Sequence, residues 1–96
     1  MADFQLQIVT QEKIAFDGMV DSMVLPGADG YFGVLAHHAP LLALLGEGEL
    51  TVGTGGRTLN GRLSGGFLEV QHNRATILAD RVEGDFLDDE DADETS

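Results

Sequence analysis

The residues in this sequence best suited to chemistry are three histidines, His37, His38 and His72. Histidine binds metals and carries protons near neutral pH. On a strand, however, adjacent side chains point to opposite faces, so His37 and His38 are badly placed to hold one ion together. Nothing in the spacing brings His72 to the pair. A structural or interface role is therefore favoured, and a small histidine-based metal enzyme remains an alternative.

Two glycine-rich segments match catalytic or nucleotide-binding motifs only in part. Residues 53–58 lack the Gly-Lys-Ser/Thr ending of a phosphate loop, and no helix follows them. Ser64 precedes two glycines, but a strand rather than a helix is expected next, unlike a nucleophile elbow. Glu47 and Glu49 fall on a turn and a strand start, where solvent keeps both ionised. We therefore expect no catalytic residue, cofactor, metal or nucleotide site.

The elements around these residues have the pattern of short strands. Residues 4–9 alternate apolar and polar side chains with the period of a half-buried strand. Further strand-like segments cover residues 49–54, 57–64, 66–71 and 75–80. The separators Gly55-Gly56 and His72-Asn73 suit tight hairpins, and Gly65 separates the middle pair. No amphipathic helix of useful length is present, so the pattern predicts an all-β, antiparallel β-sandwich or barrel.

The segment between residues 14 and 46 carries turn signals and two unusual apolar stretches. A turn or bulge is expected at Asp17-Gly18, and a turn at Pro26-Gly27. Residues 28–32 form a glycine-flanked tip that presents two aromatic rings. Residues 41–45 are too short a run to specify a helix or a strand, and we interpret them as a buried connection ending at Gly46.

Length and composition restrict the possible functions. At 96 residues the chain has room for one domain. With 17 acids, 5 bases and a net charge of −12, it repels phosphate backbones, which argues against nucleic acid as a ligand. No apolar run reaches the roughly 18 residues of a membrane span, so no direct membrane insertion is expected. The absence of cysteine fits a reducing compartment such as the cytoplasm.

The end of the sequence differs sharply in composition from the rest. Eight acids and no base lie between Glu83 and Ser96. Such a segment buries too little apolar surface to offset the entropy of ordering. We therefore predict a β-sandwich domain over residues 1–83 and a disordered acidic tail over residues 84–96.

A set of short motifs runs through residues 3–82 in a fixed order. They are Phe4-x-Leu6-x-Ile8-Val9-Thr10, Phe16-x-Gly18-x-Val20, Pro26-Gly27-x-x-Gly30-x-x-Gly33-Val34-Leu35, His38-Ala39-Pro40-Leu41-Leu42, Gly48-x-Leu50, Ser64-Gly65-Gly66-Phe67-x-Glu69-Val70 and Thr76-Ile77-Leu78-Ala79-Asp80. In this order and spacing, the chain resembles the epsilon subunit of F-type ATP synthases. The resemblance implies a β-sandwich of about ten short strands.

The resemblance also implies a function. Members of the epsilon family are non-catalytic rotor subunits of the central stalk. They link the gamma subunit to the membrane c-ring and support the coupling of proton transport to ATP synthesis, and the resemblance implies the same role for this chain. The implied location is peripheral, on the cytoplasmic face of the bacterial inner membrane. A free-standing β-sandwich that binds a small ligand is the other alternative, because it would explain the aromatic tip without a partner.

The resemblance implies two contact sites. The implied c-ring contacts are Asp29, Gly30, Tyr31 and Phe32, and the implied gamma contacts are Thr10, His38, Ala39, Pro40, Leu41 and Leu42. Many relatives carry an acidic or polar residue where this chain has Tyr31.

Two features of the family have no match in this chain. Most bacterial members continue into a helical hairpin, so we expect a short form without it. Some relatives bind ATP through a motif whose counterpart here would be residues 87–92. Asp91 replaces its arginine, so no nucleotide binding is expected.

Overall fold

The computed structural model describes residues 3–86. Their regular elements are the strands β1 (Phe4–Val9), β2 (Ile14–Val20), β3 (Ser22–Gly27), β4 (Gly30–Leu35), β5 (Leu41–Thr54), β6 (Arg57–Gln71), β7 (Arg74–Ala79) and β8 (Val82–Gly84). Within these residues there is no helix of the length and apolar character needed to cross a membrane.

The strands form a single hydrogen-bonded path in the order β2, β1, β7, β6, β5, β3, β4, with β8 paired to β6. β1 and β7 are parallel, with Leu6 opposite Ala75. The other neighbouring pairs are antiparallel. The sheet is therefore mixed, and its one parallel pairing joins the first strand to a strand near the end of the domain.

The two longest strands bend and so contribute to both layers of the fold. β5 has 14 residues and β6 has 15. β6 pairs with β8 through residues 61–63 and with β7 through residues 66–71. Between these parts lie Gly65 and Gly66, whose φ angles of 85° and 133° fall where other residues are rarely found. The sheet thus bends at Gly65 and Gly66, and its two parts pack against each other as a sandwich.

A single apolar core lies between the layers. Its members come from both ends of β5 and β6 and from the strands beside them, and no polar or charged side chain of residues 3–86 is buried. The fully buried large side chains are Phe4, Leu6, Ile8, Val20, Met23, Leu25, Val34, Leu50, Val52, Leu63, Leu68 and Ile77. Burial of this apolar surface is the main stabilising term for the fold.

Several predictions from the sequence are confirmed. The fold is all-β and matches the predicted sandwich class. The predicted antiparallel pairing is wrong for β1 and β7, which are parallel. β1 spans Phe4–Val9 with alternating burial, as its apolar period indicates. The turns Gly55-Gly56 and His72-Asn73 connect tight hairpins, and all four residues have positive φ. Such angles are those of the type I′ turn, which matches the twist of the flanking strands.

Two expected turns are displaced. β2 continues through Asp17 and Gly18. The irregularity lies instead at Ala15 of β2, which the register skips where Ile8 pairs with Phe16 and Val9 with Ile14. Pro26 and Gly27 end β3, and the turn follows them. Pro26 is tolerated in this strand because the pairing of β3 with β5 is interrupted between Val24 and Gly27, so no ladder bond requires its missing N–H.

The interpretation of residues 41–45 as a buried connection is wrong. They form the first part of β5 and pair with β6, with Leu42 and Leu44 exposed. Likewise, the segments separated in sequence at Gly65 belong to one continuous strand. Because of these continuous strands, residues 3–86 contain eight strands where about ten short ones were expected.

The packed domain extends past the boundary predicted at residue 83. Phe86 is 3% exposed and belongs to the core. Its ring meets Phe16 edge-on at a centroid distance of 5.7 Å and also packs over Gly61. Just before it, the Asp85 carboxylate accepts a 2.8 Å bond from the backbone N–H of Asn60. Residues 87–96, which include the rest of the predicted tail and the segment compared with the ATP motif, lie outside the described residues.

We expect Phe86→Ala to lower the free energy of unfolding by about 3 kcal/mol, because it removes a buried ring and leaves a cavity. For a domain of this size the melting temperature should fall by more than about 12 °C. The matched control is Phe67→Ala, since Phe67 is 48% exposed. Equal losses for the two variants in thermal unfolding would contradict the packing described for Phe86.

Candidate functional site: an apolar row on one outer face

An apolar row crosses five strands on the outer face of one layer. Its members, in order across β5, β6, β7, β1 and β2, are Leu44, Phe67, Leu78, Val9 and Ile14. Each is paired with the next by strand register. Apart from Val9, which is half-buried, about half of each side chain is exposed. A contiguous exposed apolar surface of this kind is typical of a protein contact site.

The row arises because these strands carry apolar residues on both faces of the sheet at positions that are paired side by side. Phe67 and Leu78 alternate with Leu68 and Ile77, which are fully buried. Side chains of successive strand residues point to opposite faces, so the outward positions hold large apolar groups where solvent would favour polar ones. Packing of the core does not require apolar side chains at these outward positions.

A polar network lies on the same strands beside the row. The Asp17 carboxylate accepts a 2.8 Å bond from the amide of Gln5 and a 3.4 Å bond from that of Gln7. In register with Gln7, across β7 and β6, lie Thr76 and Glu69. An apolar strip next to polar side chains has the composition of an interface with a dry centre and a wet rim.

Two shallow cavities border the row and connect it to residues expected from the sequence. One, of about 550 Å³, is lined by Thr10 together with Leu44, Phe67 and Leu78. The other, of about 340 Å³, is lined by Leu42, Phe67 and Leu78. Thr10 and Leu42, both expected at the gamma contact, therefore flank the same apolar surface.

The structure gives the other expected gamma contacts different environments. The backbone N–H of His38 donates to the Leu35 carbonyl at 3.2 Å, and its ring Nδ1 lies 2.7 Å from the Ala39 carbonyl oxygen. Ala39 and Pro40 are exposed. Leu41 packs against the core, so it mainly stabilises the fold.

Thr10 also organises its own turn. Its hydroxyl accepts bonds from the backbone N–H groups of Glu12 and Lys13, each at 3.3 Å. The backbone N–H of Thr10 donates to the Lys13 carbonyl at 2.9 Å. This turn leads from β1 into β2, so Thr10 fixes the course of the chain at one end of the apolar row.

The residues expected at the c-ring contact lie on the hairpin of β3 and β4, but only some face outward. Asp29 and Gly30 are exposed at its tip. The Tyr31 hydroxyl accepts a 2.9 Å bond from the backbone N–H of Glu49, and its side chain covers Gly48. Phe32 packs against the core. Tyr31 is thus fixed in place although 59% of it is exposed, and Phe32 mainly anchors the hairpin.

The two expected contact sites meet at one groove. Its volume is about 380 Å³, and it is lined by residues 27–30 and Phe32 on one side and by residues 41–44 on the other. The backbone N–H of Ala28 donates to the Leu44 carbonyl at 3.0 Å and joins the two walls. The sequence did not indicate this proximity, because the walls belong to strands that meet only through the tertiary fold.

His37 and His72 are exposed, and His38 is half-buried. Asn73 of the His72-Asn73 turn accepts a 2.7 Å bond at Oδ1 from the backbone N–H of His37. This bond places the turn beside the His37 backbone, but it is made by Asn73 and not by the His72 side chain. Within residues 3–86, no group of three or more potential ligand side chains is arranged to hold a metal ion.

Comparison with known proteins identifies the family. The family model for the ATP synthase Delta/Epsilon chain, beta-sandwich domain, matches residues 3–85. The chain belongs to this family. Among curated relatives, the chain is similar to the ATP synthase epsilon chains of Bradyrhizobium sp. strain ORS 278, at 50% identity over 80 residues, and of Leptospira borgpetersenii, at 45% over 75 residues. These alignments cover 83% and 78% of this chain.

These two relatives are longer than the region that they share with this chain. In both of those relatives the alignment covers 59% of the sequence, so the chain spans about three fifths of their length.

Solved structures of ATP synthases share the fold. A chain from the cryo-EM structure of the Euglena gracilis mitochondrial ATP synthase, OSCP/F1/c-ring, superposes with a TM-score of 0.82 at 24% identity. That match covers 99% of this chain and 62% of the other. A chain from the Tetrahymena thermophila mitochondrial central stalk and c-ring gives a TM-score of 0.72 at 12% identity, covering 83% and 65%.

We expect Tyr31→Phe to remove the bond from the Glu49 N–H while it keeps the ring in place. Hydrogen exchange of the Glu49 amide should accelerate several-fold, and the free energy of unfolding should fall by about 0.5 to 1 kcal/mol. Gly48→Ala should disturb the same contact from the other side, because an added methyl group would meet the Tyr31 hydroxyl and Pro26. An unchanged Glu49 exchange rate in both variants would argue against this contact.

Proposed function

We propose that this domain is a non-catalytic subunit of the central stalk of an F-type ATP synthase. It docks on the gamma subunit through the apolar row and contacts the c-ring through the hairpin tip of β3 and β4. It thereby supports the coupling of proton transport to ATP synthesis, which takes place on other subunits. It is peripheral, on the cytoplasmic face of the bacterial inner membrane.

The observation that carries the proposal is the apolar row. It crosses five strands, so its residues are fixed relative to one another by sheet hydrogen bonds. A surface of this rigidity docks with little ordering cost. The polar network of Asp17, Gln5 and Gln7 beside it would form the wet rim of the interface.

The second contact is assigned to the exposed part of the tip, Asp29, Gly30 and the outward side of Tyr31. The bond from Glu49 to Tyr31 and the packing of Phe32 hold this hairpin against the body. The N–H of Ala28 ties it to Leu44 of the apolar row. A load applied at the tip would thus pass directly into the strands that dock on gamma, which suits a rotor part that transmits torque.

A pair of matched substitutions tests the gamma surface. Leu78→Glu places a carboxylate in the middle of the row, where docking would desolvate it. We expect it to weaken binding to purified gamma subunit by roughly a hundredfold. Val24→Glu is the control, because Val24 is 45% exposed on β3, a strand that contributes no residue to the row, against 53% for Leu78.

Both variants should retain the β-type circular dichroism spectrum, since each residue already faces solvent. The measurement is isothermal titration calorimetry with gamma. If Leu78→Glu bound as the parent does, or if Val24→Glu weakened binding equally, the apolar row would not be the docking surface.

The c-ring contact is tested with Tyr31→Ala. This change removes the outward ring and its bond from Glu49, but it leaves the row intact. We expect gamma binding within about twofold of the parent, because the row supplies that interface. We also expect a larger fraction of catalytic heads released from washed membranes. Unchanged membrane retention in a folded variant would refute the assignment of Tyr31 to the ring contact.

A further inference from the structure

Asn73 makes long-range contacts that its position in a two-residue turn does not require. Its side-chain Oδ1 accepts the 2.7 Å bond from the His37 N–H, and its Nδ2 donates to the Asp3 carbonyl at 2.9 Å. Its own carbonyl accepts a 3.3 Å bond from the Gln5 N–H. One residue thus joins the turn of β6 and β7 to the start of β1 and to the loop between β4 and β5.

The loop that it holds has an unfavourable backbone conformation. His37 has a φ of 63°, a left-handed angle that residues other than glycine adopt uncommonly. Such a conformation persists where the surroundings determine it. Besides the Asn73 contact, the next residue is fixed by the bond from the His38 N–H to the Leu35 carbonyl. The direction of the chain after His37 therefore depends on contacts at both residues.

The direction of the chain after His37 determines which side chains of residues 38–42 are exposed to a partner. Ala39 and Pro40 are exposed, and they lead directly into Leu42, which is 71% exposed beside Phe67 and Leu78. The loop is thus continuous in sequence and in space with the apolar row. A loop held in one conformation loses less entropy on docking than a free one.

We propose that Asn73 is a positioning residue for docking. By holding the backbone N–H of His37, it fixes the left-handed turn and so the placement of residues 38–40 and Leu42 against the partner. The proposal rests on the proposed function, because it concerns the gamma surface. Asn73 acts on that surface through His37, and its two bonds have separable consequences: Oδ1 holds the loop, whereas Nδ2 holds the start of β1.

Substitutions in the His72-Asn73 turn distinguish two roles of Asn73: positioning the loop at His37, and stabilising the hairpin of β6 and β7. Asn73→Gly keeps the turn, since glycine accepts the φ of 58°, but it removes both side-chain bonds. Asn73→Asp keeps an acceptor for the His37 N–H and removes the donor to Asp3. His72→Gly is the control, because His72 is exposed in the same turn with a φ of 53° and the change carries the same backbone entropy cost.

The first measurement is hydrogen exchange of the His37 amide in the full chain without a partner. Asn73→Gly should accelerate this exchange about five- to tenfold. Asn73→Asp and His72→Gly should leave it near the parental rate. Unaltered exchange in Asn73→Gly, or equal acceleration in His72→Gly, would overturn the proposal at its first step.

The second measurement is affinity for purified gamma subunit. Asn73→Gly should bind about fivefold more weakly than the parent, with rescue in Asn73→Asp and no loss in His72→Gly. Asn73→Gly could accelerate exchange and still bind gamma as tightly as the parent, while Leu78→Glu binds gamma more weakly. That result would refute the positioning role and leave the proposed function standing. If the parent does not bind gamma, the proposed function fails, and the docking role of Asn73 fails with it.

Discussion

The structure depends on the bend that lets β5 and β6 belong to both layers. At the bend, Gly66 has a φ of 133°, and a methyl group added there would meet the Leu78 carbonyl oxygen. A larger residue would separate β6 from β7 at the level of the apolar row. The same bend brings the first part of β5 beside the hairpin tip of β3 and β4. The core and both proposed contact surfaces therefore require the backbones to approach closely at this glycine.

Much of the fold could be predicted because its signals are local. The alternation in residues 4–9 gave β1, and the turn at His72-Asn73 was expected from its residue types. The parallel pairing of β1 with β7 has no local signal, since it depends on which distant strands meet. Gly65 interrupts the apolar pattern without ending the strand. Phe86 lies in an acidic segment, and its place in the core depends on tertiary packing, including its contacts with Phe16 and Gly61.

Some residues taken from the family resemblance lie beside the candidate site, but its central residues were not singled out from the sequence. Thr10 and Leu42, taken from the family resemblance, flank the apolar row, whereas Phe32 and Leu41 proved to be partly core residues. The row itself was missed, although a signal existed in the sequence. Phe67 and Leu78 occupy the positions that alternate with core residues in segments predicted as strands. Large apolar groups at such outward positions indicate a covered face, but the row is recognisable only once strand register places them side by side.

The parallel pairing of β1 and β7 also constrains how the chain reaches its folded state. β2 follows β1 directly and can pair with it early, but the other edge of β1 waits for a strand near the end of the domain. The bond between Asp3 and Asn73 spans 70 positions of sequence. Closing such a loop costs chain entropy before the new contacts compensate for it, so folding should be slow for a domain of this size. On the ribosome, β1 would keep an open edge until β7 had emerged, and the sandwich would close only near the end of synthesis of the domain.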